Sequence, residues 1–600
     1  MATSSSPAFY NYPEPKHLEV PYTPPKAANN PSLNGWPLTF AASLAGSFSF
    51  VSAYLYKQNG FGVLHELKEL VDVEPRYDPT VIPVVAGETS LANYTTAESL
   101  RAPAQDVKGR FYSIADYHEA FKSGKLTPTA LVEALLPLIR RDVDKPTKHS
   151  IAFLETKIEL VKKAAEESTQ RYKEGKPLGV LDGIPIGVKD EVDLKGHKKC
   201  YGSKKDFTRA DNATSWCVAQ WGEHGVINMG KLTMHELGMD TTNNNPTYGT
   251  PKNPYNPNYY TGGSSGGSAY AVGAGLLPFA LGADGGGSIR IPSSYCGIFG
   301  LKPTHGRVSG RPTPSLAVSV GVLGPMAANM TDLEIAYRVM ATPDPSHPSS
   351  SLFPPPNPTI SPPSTSRKKL LGICRHWLAR ADPAVQSSAQ KAIDYYTSKL
   401  GYEAVEITVP FIRETQLAHA MTCLSEFATN LANDQSFLTA PTRLLVGVGS
   451  ACPSRDFLQA QKLRHRLMQH MAALFKEHPG LIIVTPTTPQ VGAHITSGDK
   501  DLKVGVTDGD QSVRSMEYVW MANFLGLPSL SMPVGYAEAV DGPDVPIGLM
   551  GAAEWGEEDA LIEWGFDGEG YLNEGLEGGR RRPEIWVDVM GLADGKGEGA

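Results

Sequence analysis

Gly262-Gly263-Ser264-Ser265-Gly266-Gly267-Ser268 and, downstream, Asp284-Gly285-Gly286-Gly287-Ser288-Ile289-Arg290 decide how this chain is read. Both are glycine-rich turns that carry serines. Glycine lets the backbone approach a reacting atom closely and present its N–H groups. A serine there becomes a nucleophile only when something takes its proton. No histidine lies near the turns except His305, so the lysine of Gly187-Val188-Lys189-Asp190 is the leading candidate base.

The first turn is ambiguous in isolation. Its Gly263-Ser264-Ser265-Gly266-Gly267 satisfies the G-x-S-x-G elbow of α/β-hydrolases. That elbow needs a hydrophobic strand directly before it, and Asn253-Pro254-Tyr255-Asn256-Pro257-Asn258 is loop chemistry instead. A phosphate cradle would need a following G-K-[ST], which is missing. A Gly/Ser linker is the commonest reading of such a stretch. The second turn changes the balance. Three glycines ending in Ser288 gather backbone N–H groups around one hydroxyl, the arrangement of an oxyanion hole beside its nucleophile. Asp284 and Arg290 flank the turn and read as an ion pair, or backbone hydrogen bonds, that hold it rigid.

A lone lysine is usually a solvated surface charge. To serve as a base Lys189 must be uncharged, which burial promotes. The apolar run Leu181 to Val188 reads as a short strand and points to such burial. Asp190 would oppose it by turning toward Lys189, but adjacent strand residues face opposite ways.

The surrounding pattern is α/β. Ser113 and Asp116 have capping-box spacing, and Thr127-Pro128 reads as N-cap and N1 of a helix carrying Leu131, Leu135 and Leu138. Residues 151–174 are expected as one further helix. Residues 276–282 read as a central strand that delivers Asp284 to Ser288 at its carboxyl end, where open α/β sheets place ligands. Strand 369–374, helix 383–400 and strand 404–409 suggest a β-α-β return. Helices at 412–432 and 455–477 and a strand at 481–484 follow.

Composition excludes several classes. With 55 basic and 63 acidic side chains the net charge is −8, which argues against a nucleic-acid binder. The 6 cysteines are scattered with no CxxC pair, which disfavours a zinc site and fits reduced thiols in an intracellular protein. Neither a secretory signal nor an Arg-rich transit peptide is visible, and a cytoplasmic location is expected. Residues 1–35 are expected as an extended arm, 36–110 as a helical or anchor segment with linker, 111–565 as the catalytic domain and 566–600 as a weakly ordered tail. Residues 341–366 read as a Pro/Ser-rich insertion. Trp36 to Tyr56 carries no charge and has aromatic ends. It reads as a membrane span or interfacial anchor, or as a helix packed on the protein or at a homodimer interface.

Taken together, the motifs resemble the amidase signature family, whose pattern is a G-V-K-D lysine, then G-G-S-S-G-G, then D-x-G-G-S-x-R. The serines fall at the family spacing, with Ser264 and Ser288 24 positions apart. Phe299-Gly300-Leu301-Lys302-Pro303-Thr304, Gly324-Pro325-Met326, Thr485-Pro486-Thr487-Thr488-Pro489, Asn523-Phe524-Leu525-Gly526-Leu527-Pro528 and Gly548-Leu549-Met550-Gly551 extend the likeness over about residues 111–565.

The resemblance implies an α/β fold with a large mixed twisted sheet covered by helices on both faces. It implies Ser288 as nucleophile, Ser264 as the serine that shuttles the proton after a cis peptide bond, and Lys189 as the final base. Gly263 and Ser265 would support the relay, and the N–H groups of Gly285, Gly286, Gly287 and Ser288 would form the oxyanion hole. The substrate would be a small-molecule amide, and no metal or cofactor would be required. Relatives suggest two alternatives: the glutaminase subunit of an amidotransferase, and a membrane-anchored enzyme similar to fatty acid amide hydrolase. One departure stands out. Thr-Asp-Ile, frequent in the family before the second Gly-Gly-Ser, is here Ala283-Asp284-Gly285. The pocket is expected to draw on residues 412–450 and 500–515, with His235, Tyr248 and Tyr295 either lining it or packed in the core.

Overall fold

In a computed structural model of the chain, which describes residues 8–20, 32–84, 94–96, 100–101, 107–357, 368–431 and 434–595, eleven strands form one mixed sheet. From one edge the order is Glu403–Glu406, Leu370–Ile373, Leu481–Pro486, Val545–Ala552, Ser529–Ala537, Phe299–Lys302, Val322–Ala327, Phe279–Asp284, Pro185–Lys189, Ile227–Leu232 and Phe153–Glu155. Every residue of Pro185–Lys189, Phe279–Asp284, Leu481–Pro486 and Val545–Ala552 is buried. A strand buried on both sides needs cover on both faces, and the helices supply it.

Two strands position the site. Pro185–Lys189 pairs in parallel with Phe279–Asp284, so Lys189 and Asp284 emerge at the same edge of the sheet. The all-buried helix Gly266–Gly273 packs over both strands. Its small residues permit this: a Cβ on Gly267 would stand 2.4 Å from the Thr233 carbonyl oxygen. The Gly267 N–H instead donates to that oxygen at 3.0 Å.

Local signals held where capping chemistry was explicit. Ser113 and Asp116 form a capping box, and Thr127 caps Pro128–Ile139 by accepting from Ala130 N–H. The expected helix over 151–174 is divided. Phe153–Glu155 joins the sheet edge against Ile227–Leu232, burying Phe153, and the helix runs only over Ile158–Lys173. Helix Ala440–Ser450 was not foreseen.

The described part of the arm is tied down: Ala8–Tyr10 pairs with Ile82–Val84, and Leu18 N–H donates to His470 Nδ1. Residues 358–366 of the Pro/Ser-rich stretch lie outside the described residues, while Phe353 before them is buried. The tail expected to be weakly ordered is instead packed as far as 595. Glu558–Gly570 continues past 565, Leu572, Val587 and Val589 are buried, and Arg580 lies over the Phe111 ring. Apolar residues spaced among its glycines and glutamates carry that packing.

Gly35–Ser47 and Ser49–Gln58 form two helices bent by 114°. Leu38, Ala42 and Ala45 pack with Leu444 of helix Ala440–Ser450. The far side leaves Trp36, Phe40, Phe48, Phe50 and Tyr54 exposed. Among the described residues no single helix is long and apolar enough to cross a membrane.

Candidate active site

Lys189, Ser264 and Ser288 line one cavity of about 1030 Å³. Lys189, only 1% exposed, ends its strand with Nζ donating to Ser264 Oγ at 2.9 Å and to the Ala283 carbonyl at 3.3 Å. Ser264 follows a cis Gly263–Ser264 bond, and its carbonyl accepts from His235 N–H. The Ser265 hydroxyl donates to the Ala283 carbonyl and accepts from the Ala283 N–H, and the Ser265 N–H donates to the Ser288 carbonyl at 3.2 Å. That last bond ties the first turn to the second.

Asp190 does not compete for the lysine. Its carboxylate takes the N–H groups of Cys200 and Gly202 and pairs with Lys231 at 3.5 Å. The alternation of strand faces accounts for this. Past the strand the chain turns, with the Val192 N–H donating to the Lys189 carbonyl, and the Glu191 carboxylate comes within 3.0 Å of Lys189 Nζ at the cavity wall. The alternating pattern speaks to Asp190 and not to Glu191, which lies beyond the end of the strand.

The second turn is organised by Asp284. Both its oxygens bind Arg290, at 3.0 Å each, and it also accepts from the N–H groups of Gly287 at 2.7 Å and Ile289 at 3.1 Å. Asn523 spans the pair, accepting from Arg290 and donating to Asp284. Burial alone would push the Asp284 carboxyl up; Arg290, with Lys302 and the Gly287 N–H, overrides it and holds the group well below the usual carboxylate range. Burial, then Arg290, push Lys302 down to about 7. Gly287 takes φ +102°, and a Cβ there would strike Val519 at 2.5 Å.

This geometry corrects one expectation. The Gly287 N–H is spent on Asp284 and Gly287 is not part of the cavity wall, whereas Gly285, Gly286 and Ser288 are. The departure Ala283-Asp284-Gly285 leaves the turn supported: Ala283 acts through its backbone, which holds Ser265 and Lys189.

Helix Ile412–Asn430 lays His419 against this turn. His419 is 1% exposed, and its Nε2–H donates to the Gly285 carbonyl at 2.8 Å. Neither His419 nor Asn523 was singled out as a site residue in the sequence. Leu237, Met239, Leu316, Leu424, Phe427 and Met516 make much of the cavity wall apolar. Residues 412–450 and 500–515 both contribute, as expected. His235, Tyr248 and Tyr295 are not part of it. Tyr295 is buried behind Gly262 and accepts from Gln490, and Tyr248 donates to the Ser203 carbonyl.

Comparison with known proteins shows the family and the fold. The Amidase family profile matches residues 143–562. A fatty acid amide hydrolase of Medicago truncatula is 35% identical over 498 residues, covering 80% of this chain and 79% of the relative. A fatty acid amide hydrolase of Arabidopsis thaliana is 33% identical over 576 residues, covering 90% and 92%. The crystal structure of a bacterial aryl acylamidase of the amidase signature family superposes with a TM-score of 0.64 at 22% identity, over 81% of this chain and 99% of that one, and shares the fold.

Proposed function

The chain belongs to the amidase family, whose relatives hydrolyse amides, and we propose that it does so through an acyl-enzyme on Ser288. The observation that carries this reading is the buried Lys189 Nζ to Ser264 Oγ hydrogen bond, on the wall of a cavity that Ser288 shares.

In the cycle, Ser288 Oγ attacks the amide carbonyl, and the C=O electron pair moves onto oxygen. The Ser288 proton passes to Ser264 as the Ser264 proton passes to Lys189. Glu191 and the Ala283 carbonyl flank the ammonium so formed. The N–H groups of Gly285, Gly286 and Ser288 receive the oxyanion. The proton then returns through Ser264 to the departing nitrogen, the C–N bond breaks, and water cleaves the ester by the reverse relay.

The substrate proposed is a long-chain acyl amide. The cavity matches the upper end of the ~300–1,000 Å³ range for ligand pockets. Each methylene sealed against its apolar wall contributes about 0.8 kcal/mol. Glutamine, the substrate of the amidotransferase alternative, has no comparable apolar surface to bury. The exposed aromatic face of the bent helix pair suits insertion into the interfacial layer of a bilayer. The chain leaving that pair meets the cavity at Asn59 and Phe61.

A tagged fluorophosphonate should label the wild-type chain, and Ser288→Ala should abolish both labelling and hydrolysis, by roughly 10⁴-fold or more. Labelling that persists in Ser288→Ala but vanishes in Ser265→Ala would return the nucleophile to the first turn. Among amides of graded acyl length, kcat/KM should rise with chain length; a flat series would exclude the lipid reading. Neutral phosphatidylcholine vesicles should sediment the wild-type chain, and a Trp36→Ser, Phe40→Ser, Phe50→Ser variant should stay in the supernatant while keeping its activity on short amides.

A further inference from the structure

We propose that His419 is a positioning residue for the oxyanion hole, acting through the Gly285–Gly286 peptide. The inference deepens the serine-amidase reading and rests on it.

Trans peptide units are planar, with the C=O of one residue and the N–H of the next on opposite sides. The plane joining Gly285 to Gly286 has two glycines at its ends, so no side chain restricts its rotation. A glycine pair is what a backbone donor needs in order to come close to a carbonyl, and it is also what lets the donor swing away. Asp284 does not solve this. Its oxygens hold the N–H groups of Gly287 and Ile289, beyond the plane in question. The Gly285 carbonyl is held from outside the turn, by His419 Nε2–H at 2.8 Å and, at a longer 3.7 Å, by the Cys423 thiol.

The imidazole is suited to that task. A carbonyl oxygen only accepts, so Nε2 carries the proton and Nδ1 is the bare nitrogen. Nδ1 is buried without a hydrogen-bond partner. Burial drives the group down to about 4, past the opposing effect of its bond to Gly285, so the ring is neutral at ordinary pH. The ring is itself fixed edge-on to Phe524, with centroids 6.1 Å apart, and Cys423 Sγ lies 3.4 Å from Nε2. A Cβ on Gly286 would come within 3.0 Å of His419 Cε1, so the ring abuts the plane it orients. With the carbonyl pinned toward His419, the Gly286 N–H is kept on the opposite side, available to the developing oxyanion. A donor oriented before the reaction is worth far more than one that must reorganise during it.

The test compares three variants with wild type. His419→Leu removes the shorter of the two donors and leaves the Cys423 thiol. Gln presents its amide nitrogen where Nε2 stands, and the shorter Asn presents one only at the Nδ1 position. For His419→Leu, kcat should fall about 10- to 100-fold with KM within about threefold. Phosphonylation of Ser288, which builds a similar tetrahedral centre, should slow by the same factor. His419→Gln should recover most of both rates. Where His419→Leu does not fold, His419→Asn takes its place with the same expectation. Equal losses in Gln and Asn or Leu, a loss confined to KM, or unchanged kcat and phosphonylation in a folded variant would each overturn the proposal. Absence of any labelling of the wild-type Ser288 would instead overturn the serine-amidase reading beneath it.

Discussion

The two glycine-rich turns carry similar residues and are held in different ways. The first, at 262–268, is buried throughout, and backbone bonds tie it to three other segments, alongside its serine side chains: Gly263 N–H to the Thr241 carbonyl, Gly267 N–H to the Thr233 carbonyl, Ser265 N–H to the Ser288 carbonyl. The second, at 284–290, is open to the cavity at Gly285, Gly286 and Ser288 and is fixed by side chains, Asp284 with Arg290 and Asn523 from within and His419 from outside. A proton relay tolerates no slack between its members, and backbone-to-backbone contact gives the shortest tether. An oxyanion hole must keep some N–H groups unspent, and a carboxylate that absorbs the surplus ones achieves that.

The comparison can be broken most severely at Asp284. Asp284→Asn leaves Arg290 as a buried, uncompensated cation, and removing one partner of a buried pair costs about 3–5 kcal/mol. Urea unfolding should show that loss, and residual activity should fall together with fluorophosphonate labelling. A variant of wild-type stability would mean that the turn is held from elsewhere. At the first turn the fault is steric. Gly267→Ala drives a methyl against the Thr233 carbonyl, for about 1–3 kcal/mol by overpacking, read as a lower thermal midpoint. A neutral result there would show that the first turn is looser than its contacts imply.

The smallest effect is set by pH. His149, against Tyr270 in the helix that begins in the first turn, and His419 at the second are both pushed down by burial to about 4. Each is neutral in the folded chain and takes up a proton near 6.5 once unfolded. Their contribution to stability is therefore complete above pH 6.5 and is lost as the pH falls toward 4. At pH 5.5 the deficit should be about 1.4 kcal/mol per histidine. His419→Gln should flatten the urea midpoint against pH between 7 and 5; an unchanged slope would remove His419 from the account.

How much of this was legible in the sequence follows from how far apart the partners lie. The serines, the lysine and the Asp284–Arg290 pair sit inside short segments whose glycine spacing speaks for itself, and the capped helices were readable for the same reason. Glu191, two residues on from Lys189, lies past the end of the strand in a turn that the strand pattern does not reach. Asn523 and His419 lie further off: they meet the second turn across 239 and 134 residues, on helices whose periodicity says only which side is buried. Phe153–Glu155 was mistaken for helix because an edge strand of three residues has too few positions to show alternation. The packing of residues 566–595 was hidden by glycine and glutamate content, although Leu572, Val587 and Val589 supply the apolar contacts.

Asp284 has one more consequence. It meets Arg290 at the base of the hole, so the two formal charges nearest the second turn offset one another. What that turn offers a developing anion is a set of peptide dipoles beside a neutralised ion pair. Mobile ions screen fields over about 10 Å at 0.1 M, and only where they can enter. The uncharged helical segment Trp36 to Tyr56 likewise gives them nothing to screen. Neither the paired charges of the second turn nor the apolar face of the bent helix pair presents a net charge for salt to screen.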